Sequence, residues 1–124
     1  MKILTVDDSK TLRKIVKRTI EDLKYECLEA NDPKEALDVL SANHKNICLI
    51  LLDWNMPEMT GIEFLEIIKN IGKYKEIPVI MLTSQSGKDN VIMAMKKGAA
   101  NYVIKPFNQH DLSARIMSVL NKES

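Results

Sequence analysis

Aromatic residues are scarce. One Trp, three Tyr and two Phe occur among 124 residues. The Lys and Arg total of 18 is offset by 17 Asp and Glu, so the formal net charge is +1. No global field draws the chain toward nucleic acid or an acidic surface. Helix one of the reading below carries Lys10, Arg13, Lys14, Lys17 and Arg18, but a lone basic stripe without interleaved aromatics reads as a solvated face. Cysteine is nearly absent. Cys27 and Cys48 each sit in an apolar segment, which predicts two buried reduced thiols rather than a disulfide. His44 and His110 stand alone, with no metal-ligand partner nearby in sequence. No apolar run approaches the roughly 20 residues that a membrane span needs. The opening MKILTVDD has one Lys and a very short apolar run before two acids, which is no signal peptide. Linkers, low-complexity tracts and internal repeats are missing too. These absences predict one domain over residues 1–124, cytoplasmic, monomeric and not inserted in a membrane.

What is present is an alternation. Short apolar runs cover Ile3–Val6, Cys27–Ala30, Ile47–Leu52, Val79–Leu82 and Tyr102–Ile104. The first, third and fourth are nearly continuous in Ile, Leu, Val and Met, as strands buried on both faces are. Helical patterns lie between them. Leu12, Ile15, Val16, Thr19, Ile20 and Leu23 line one helix face. Asp32-Pro33 reads as an N-cap followed by a first-turn proline. Further helices are predicted over Gly61–Asn70, Lys88–Lys97 and Asp111–Leu120, with Gly98 as a helix terminator. Five strand–helix repeats predict an α/β fold: a doubly wound parallel sheet with helices on both faces.

Open α/β sheets bind ligands beyond the carboxyl ends of their strands. Asp7-Asp8-Ser9, Asp53-Trp54-Asn55, Thr83-Ser84-Gln85 and Lys105-Pro106 all fall at such ends. Taken singly, an Asp-Asp pair reads as a turn or cap, and a Lys-Pro as a loop. Together at four strand ends, they read as a site. Three neighbouring carboxylates require a proton or a cation among them. Hard oxygen donors without His or Cys favour Mg²⁺ over zinc. Lys105 and Thr83 could each hold a phosphoryl oxygen, and a carboxylate can itself accept the phosphoryl group. Asp53, on the strand expected to be central, is the predicted acceptor.

With these residues in place, the chain resembles the receiver domain of two-component response regulators. The motifs VDDS, DWNMPEMTG, PVIMLTS and GAANYVIKPF occur in order across nearly the whole chain. DWNMP and YVIKPF look most like the stand-alone chemotaxis regulators of the CheY type. The resemblance implies a flavodoxin-like five-stranded sheet of order 2-1-3-4-5 with five helices. It implies that Asp53 is phosphorylated by a histidine kinase. Asp8 and Asp53 would bind Mg²⁺, with Asp7 acting through water and Asn55 through its backbone carbonyl. Lys105 would contact the phosphoryl group, across a Lys105-Pro106 bond that is typically cis in the family. Thr83 and Tyr102 would be the switch pair, the ring turning inward on phosphorylation. Val91, Met95, Tyr102, Ile104 and Arg115 would fall on or near the output face of helix four, strand five and helix five. A flagellar motor switch protein is the partner so implied, with a phosphatase as a further one. Self-directed phosphotransfer and hydrolysis are the only enzymatic content. Gln85 stands where chemotaxis relatives commonly carry an acid, which leaves the phosphoryl lifetime open. Thr60 replaces a common Asp or Asn, and little is expected from it.

Other classes compete. A relay or adaptor receiver outside motility would use the same residues. A Mg²⁺-dependent phosphohydrolase with a nucleophilic aspartate would carry D-x-D on the first strand and a cap domain. Here the aspartates are adjacent and there is no room for a cap. A flavodoxin-type electron carrier would need a hydroxyl-rich loop where Asp7-Asp8 would repel a flavin phosphate.

Overall fold

In a computed structural model, residues 1–56, 58–84 and 87–122 are described. Pro57 and Gln85, to which the sequence assigns a turn and a place near the site, lie outside them. The elements are β1 (Lys2–Val6), α1 (Lys10–Asp22), β2 (Glu26–Ala30), α2 (Pro33–Asn43), a short 3₁₀ turn (His44–Asn46), β3 (Ile47–Asp53), α3 (Gly61–Lys69), β4 (Val79–Thr83), α4 (Lys88–Lys96), β5 (Asn101–Ile104) and α5 (Gln109–Lys122). The five strands form one parallel sheet in the order β2-β1-β3-β4-β5. The flavodoxin-like order expected above is therefore observed.

The sheet separates two apolar layers because alternate residues of a strand point to opposite faces. Leu4, Val6, Ile50 and Leu52 pack with Ala36, Leu40, Phe64, Leu65, Ile68 and Ala94 of α2, α3 and α4. Ile3, Leu49, Leu51 and Val103 pack with Val16, Ile20, Leu112, Ile116 and Val119 of α1 and α5. β3 is buried from Leu49 onward and lies centrally between β1 and β4. A near-continuous apolar run is what a two-faced strand needs.

Caps set the helix starts. The Ser9 side chain accepts a hydrogen bond from Leu12 N–H, and Asp32 accepts one from Glu35 N–H at 2.8 Å. α5 begins two residues before the expected Asp111, because Asn108 Oδ1 accepts from Asp111 N–H at 2.8 Å and caps the first turn. Gly98 ends α4 in the left-handed region, at φ 110°. The cysteines depart from expectation. Both are free, but half-buried rather than buried. Burial still pushes the Cys27 thiol up to about 12, so it stays protonated at neutral pH. His44 packs its ring edge-on to Tyr74, with centroids 5.5 Å apart, which is a packing role. Among the described residues, no helix is long and apolar enough to cross a membrane.

Candidate functional site

Register brings the carboxylates together. Val6 of β1 pairs with Leu52 of β3, so one step further places Asp7 beside Asp53 at the carboxyl edge of neighbouring strands. Asp8 follows into the solvent. One oxygen each from Asp7, Asp8 and Asp53 lies within 4.8 Å of the others. Asp7 is 0% and Asp53 3% exposed, while Asp8 is exposed. Lys105 enters from beyond β5, positioned by its own N–H donating to Thr83 O at 2.8 Å. Its Nζ lies 2.8 Å from Asp53 Oδ1, and the Lys105-Pro106 bond is cis. Asn55 N–H donates to the same Asp53 oxygen at 3.3 Å. Thr83 is buried at the end of β4. The edge therefore holds Asp7, Asp8, Asp53, Asn55, Thr83 and Lys105 among the described residues.

Three carboxylates face one ammonium. Two like charges 4.8 Å apart repel by about 3.5 kcal/mol at an effective dielectric near 20. Asp7 carries the consequence. Burial, aided by the Asp53 charge, pushes its carboxyl from 3.8 up to about 6, although the Ser9 N–H and Lys105 pull the other way. Ser9 N–H donates to Asp7 Oδ1 at 2.7 Å. Oδ2 of Asp7 is buried and has no hydrogen-bond partner among the described residues. A buried carboxylate oxygen without a partner there, on a member of this cluster, suits a hard divalent cation. The donor set is all oxygen, which suits a hard cation such as Mg²⁺ better than zinc.

Two contributors escape a reading by residue type. Gly61 opens α3 with its N–H 2.7 Å from Trp54 O. A Cβ built there would stand 2.2 Å from the carbonyl oxygen of Asp53 itself. Only glycine lets α3 press against the acceptor's backbone. Thr60, from which little was expected, is instead the N-cap of α3. Its hydroxyl accepts from Glu63 N–H at 3.2 Å, and the Glu63 carboxylate accepts from Thr60 N–H at 3.0 Å. The T-x-x-E spacing was a readable sign of this reciprocal cap.

The remaining nominated residues lie on the α4–β5–α5 side. Met95 is exposed, as are Ile92 and Met93, and α4 buries only Ala94. Val91, Tyr102 and Ile104 are half-buried, and Arg115 is exposed. Tyr102 packs on the α2–α3–α4 layer, and the Arg115 guanidinium stands over its ring.

A parallel 2-1-3-4-5 sheet with an acid cluster and a lysine at its carboxyl edge defines the class, and sequence comparison gives the family. The response regulator receiver domain matches residues 3–117, and the chain belongs to that family. It is 46% identical to the chemotaxis protein CheY1 of Helicobacter pylori over 121 residues, 97% of each chain. It is 42% identical to a chemotaxis protein CheY homolog of Campylobacter jejuni, covering 100% of this chain and 95% of that one. Among solved structures, Vibrio cholerae CheY4 superposes with a TM-score of 0.87 at 35% identity, over 95% of this chain and 97% of that one. The Francisella response regulator 1452 receiver domain does so at 0.89 and 31%, over 99% and 98%.

Proposed function

We propose that this chain is a single-domain chemotaxis response regulator. It takes a phosphoryl group from a histidine kinase onto Asp53 and passes the signal to a flagellar motor switch protein. The observation that carries this reading is the Asp53 carboxylate. It is nearly buried, bound to Lys105 at 2.8 Å and flanked by Asp7 and Asp8 within 4.8 Å. The similarity to named chemotaxis proteins over nearly the whole chain supports the motor assignment.

Asp7, Asp8 and Asp53, with the Asn55 backbone carbonyl, would hold Mg²⁺, which neutralises charge on the transferring phosphoryl group. The chain supplies the rest. A carboxylate oxygen of Asp53 attacks phosphorus as the bond to the donor histidine nitrogen breaks. Lys105, already directed at Asp53, holds one phosphoryl oxygen. The Thr83 hydroxyl donates to another. Phosphoryl transfer asks for little beyond such positioning and charge neutralisation. The inward turn of the Tyr102 ring then follows Thr83, and a face including Val91, Met95, Ile104 and Arg115 is presented to the partner. Modification biases two pre-existing states rather than creating one.

Trp54, beside the acceptor and 8% exposed, reports on the site. Fluorescence titration with Mg²⁺, then with beryllofluoride as a phosphoryl mimic, should give a two-stage response that Asp53→Asn abolishes. A response unchanged in Asp53→Asn would remove the acceptor assignment. Binding to the N-terminal segment of a motor switch protein should strengthen with the mimic. If that segment ignores both states, the switch chemistry stands and the output is a relay or adaptor partner instead.

A further inference from the structure

β5 is an edge strand, and its residues divide between the two layers. Val103 points into the α1–α5 layer, whereas Tyr102 packs on the opposite layer with the buried Ala94 and Ala99. A side chain from α5 should therefore not meet the Tyr102 ring. Arg115 does. It rises from α5 around the open edge of β5, and its Cζ lies 5.5 Å from the centre of the ring. Its Nη1 donates to Asn101 Oδ1 at 3.0 Å. The same Asn101 oxygen accepts from Tyr102 N–H at 2.8 Å. Guanidinium, amide and ring thus form a closed clasp across the edge strand. Asp111 lies one turn before Arg115, and both line a groove between β5 and α5. Among the described residues Arg115 nevertheless makes no ion pair with it or any other carboxylate. The guanidinium is engaged by the ring and the amide instead.

We infer that Arg115 is a positioning residue for the switch: anchored by Asn101, it holds the Tyr102 ring at the edge of β5 and opposes its inward turn. This rests on the switch reading above. A guanidinium over an aromatic face is attracted to the ring, so any turn of the ring away from Arg115 gives up that contact. The clasp thus favours the unphosphorylated arrangement. Because linkage is reciprocal, whatever weakens the clasp strengthens binding of the phosphoryl mimic. The guanidinium is specifically suited, since a flat fork can lie on the ring while one nitrogen reaches the amide. A lysine ammonium cannot do both.

Two measurements on the full chain test this. In protein carrying ¹³C-labelled tyrosine, without metal or mimic, Arg115→Ala should shift the Tyr102 ring resonances and leave those of Tyr25 and Tyr74 in place. Unchanged Tyr102 signals would overturn the clasp whether or not Asp53 is ever phosphorylated. Beryllofluoride is then titrated at fixed Mg²⁺ with Trp54 fluorescence. Arg115→Ala should tighten apparent binding by about two- to five-fold, the range that an exposed cation–π contact supports. Arg115→Lys should fall between wild type and Arg115→Ala, and Tyr102→Leu should make the Arg115→Ala effect vanish. Equal affinities for wild type and Arg115→Ala would refute the positioning role. A wild type that does not respond to the mimic at all would instead refute the switch reading, with the ring spectra still deciding the contact.

Discussion

Replacing Asp7 by Asn should stabilise the metal-free protein, and by an amount that depends on pH. Asp7 is fully buried, and one of its oxygens has no partner among the described residues. Its carboxyl sits near 6 in place of 3.8. That displacement corresponds to a cost of about 3 kcal/mol for keeping the buried group ionised. The folded state holds its proton more tightly than the unfolded chain does. The group's contribution to stability is therefore fully present below pH about 4 and is lost as pH rises through about 6. Asn is neutral at every pH and keeps an oxygen for the Ser9 N–H. At pH 7.5 Asp7→Asn should thus gain about 3 kcal/mol, and roughly half of that at pH 5.0. Urea unfolding followed by Trp54 fluorescence, in a chelator at both pH values, measures this difference. Adding Mg²⁺ at pH 7.5 should raise the stability of wild type more than that of the variant, because the ligand binds only the folded state. A variant less stable than wild type at pH 7.5, or a difference that ignores pH, would refute the account of the acid cluster.

Three further outcomes follow from the packing. Gly61→Ala should cost about 1–3 kcal/mol and weaken mimic binding, since its Cβ would stand 2.2 Å from Asp53 O; unaltered denaturation and affinity would show that α3 can retreat freely. Thr60→Ala removes half of the reciprocal cap on α3 and should cost about 1 kcal/mol in urea unfolding, with Thr60→Ser restoring most of it. Thr5 is fully buried, and its hydroxyl has no partner among the described residues. Thr5→Val should therefore raise stability by about 1 kcal/mol; a loss of that size would mean that the hydroxyl is bonded after all.

Much of the site was legible in the chain because strand ends are legible. A continuous apolar run that stops at a carboxylate, as Leu49–Leu52 stops at Asp53, marks both a two-faced strand and its exit. The same logic located Asp7-Asp8, Thr83 and Lys105. Caps with short, local spacing were readable as well. Asp32-Pro33 marks the start of α2, and the equally local Thr60–Glu63 pair marks the start of α3. The cysteines show the limit of local reading. An apolar neighbourhood in sequence does not say how far the helices cover a strand, and both thiols proved half-buried.

The order of residues along the chain is enough to show which could act: three acids, a lysine and a hydroxyl at strand exits, and a period of alternation that allows a two-layered sheet. Their distances depend on the folded packing. Asp7 and Asp53 are 46 positions apart along the chain, and the β1–β3 register makes them neighbours. Burial then raises the proton affinity of Asp7, which no composition expresses. Arg115 and Tyr102 belong to opposite layers, and they meet because β5 is an edge that a long side chain can round. Strand ends and caps depend on a few adjacent residues. Register, burial and edge crossings depend on elements far apart in sequence, and on how they pack.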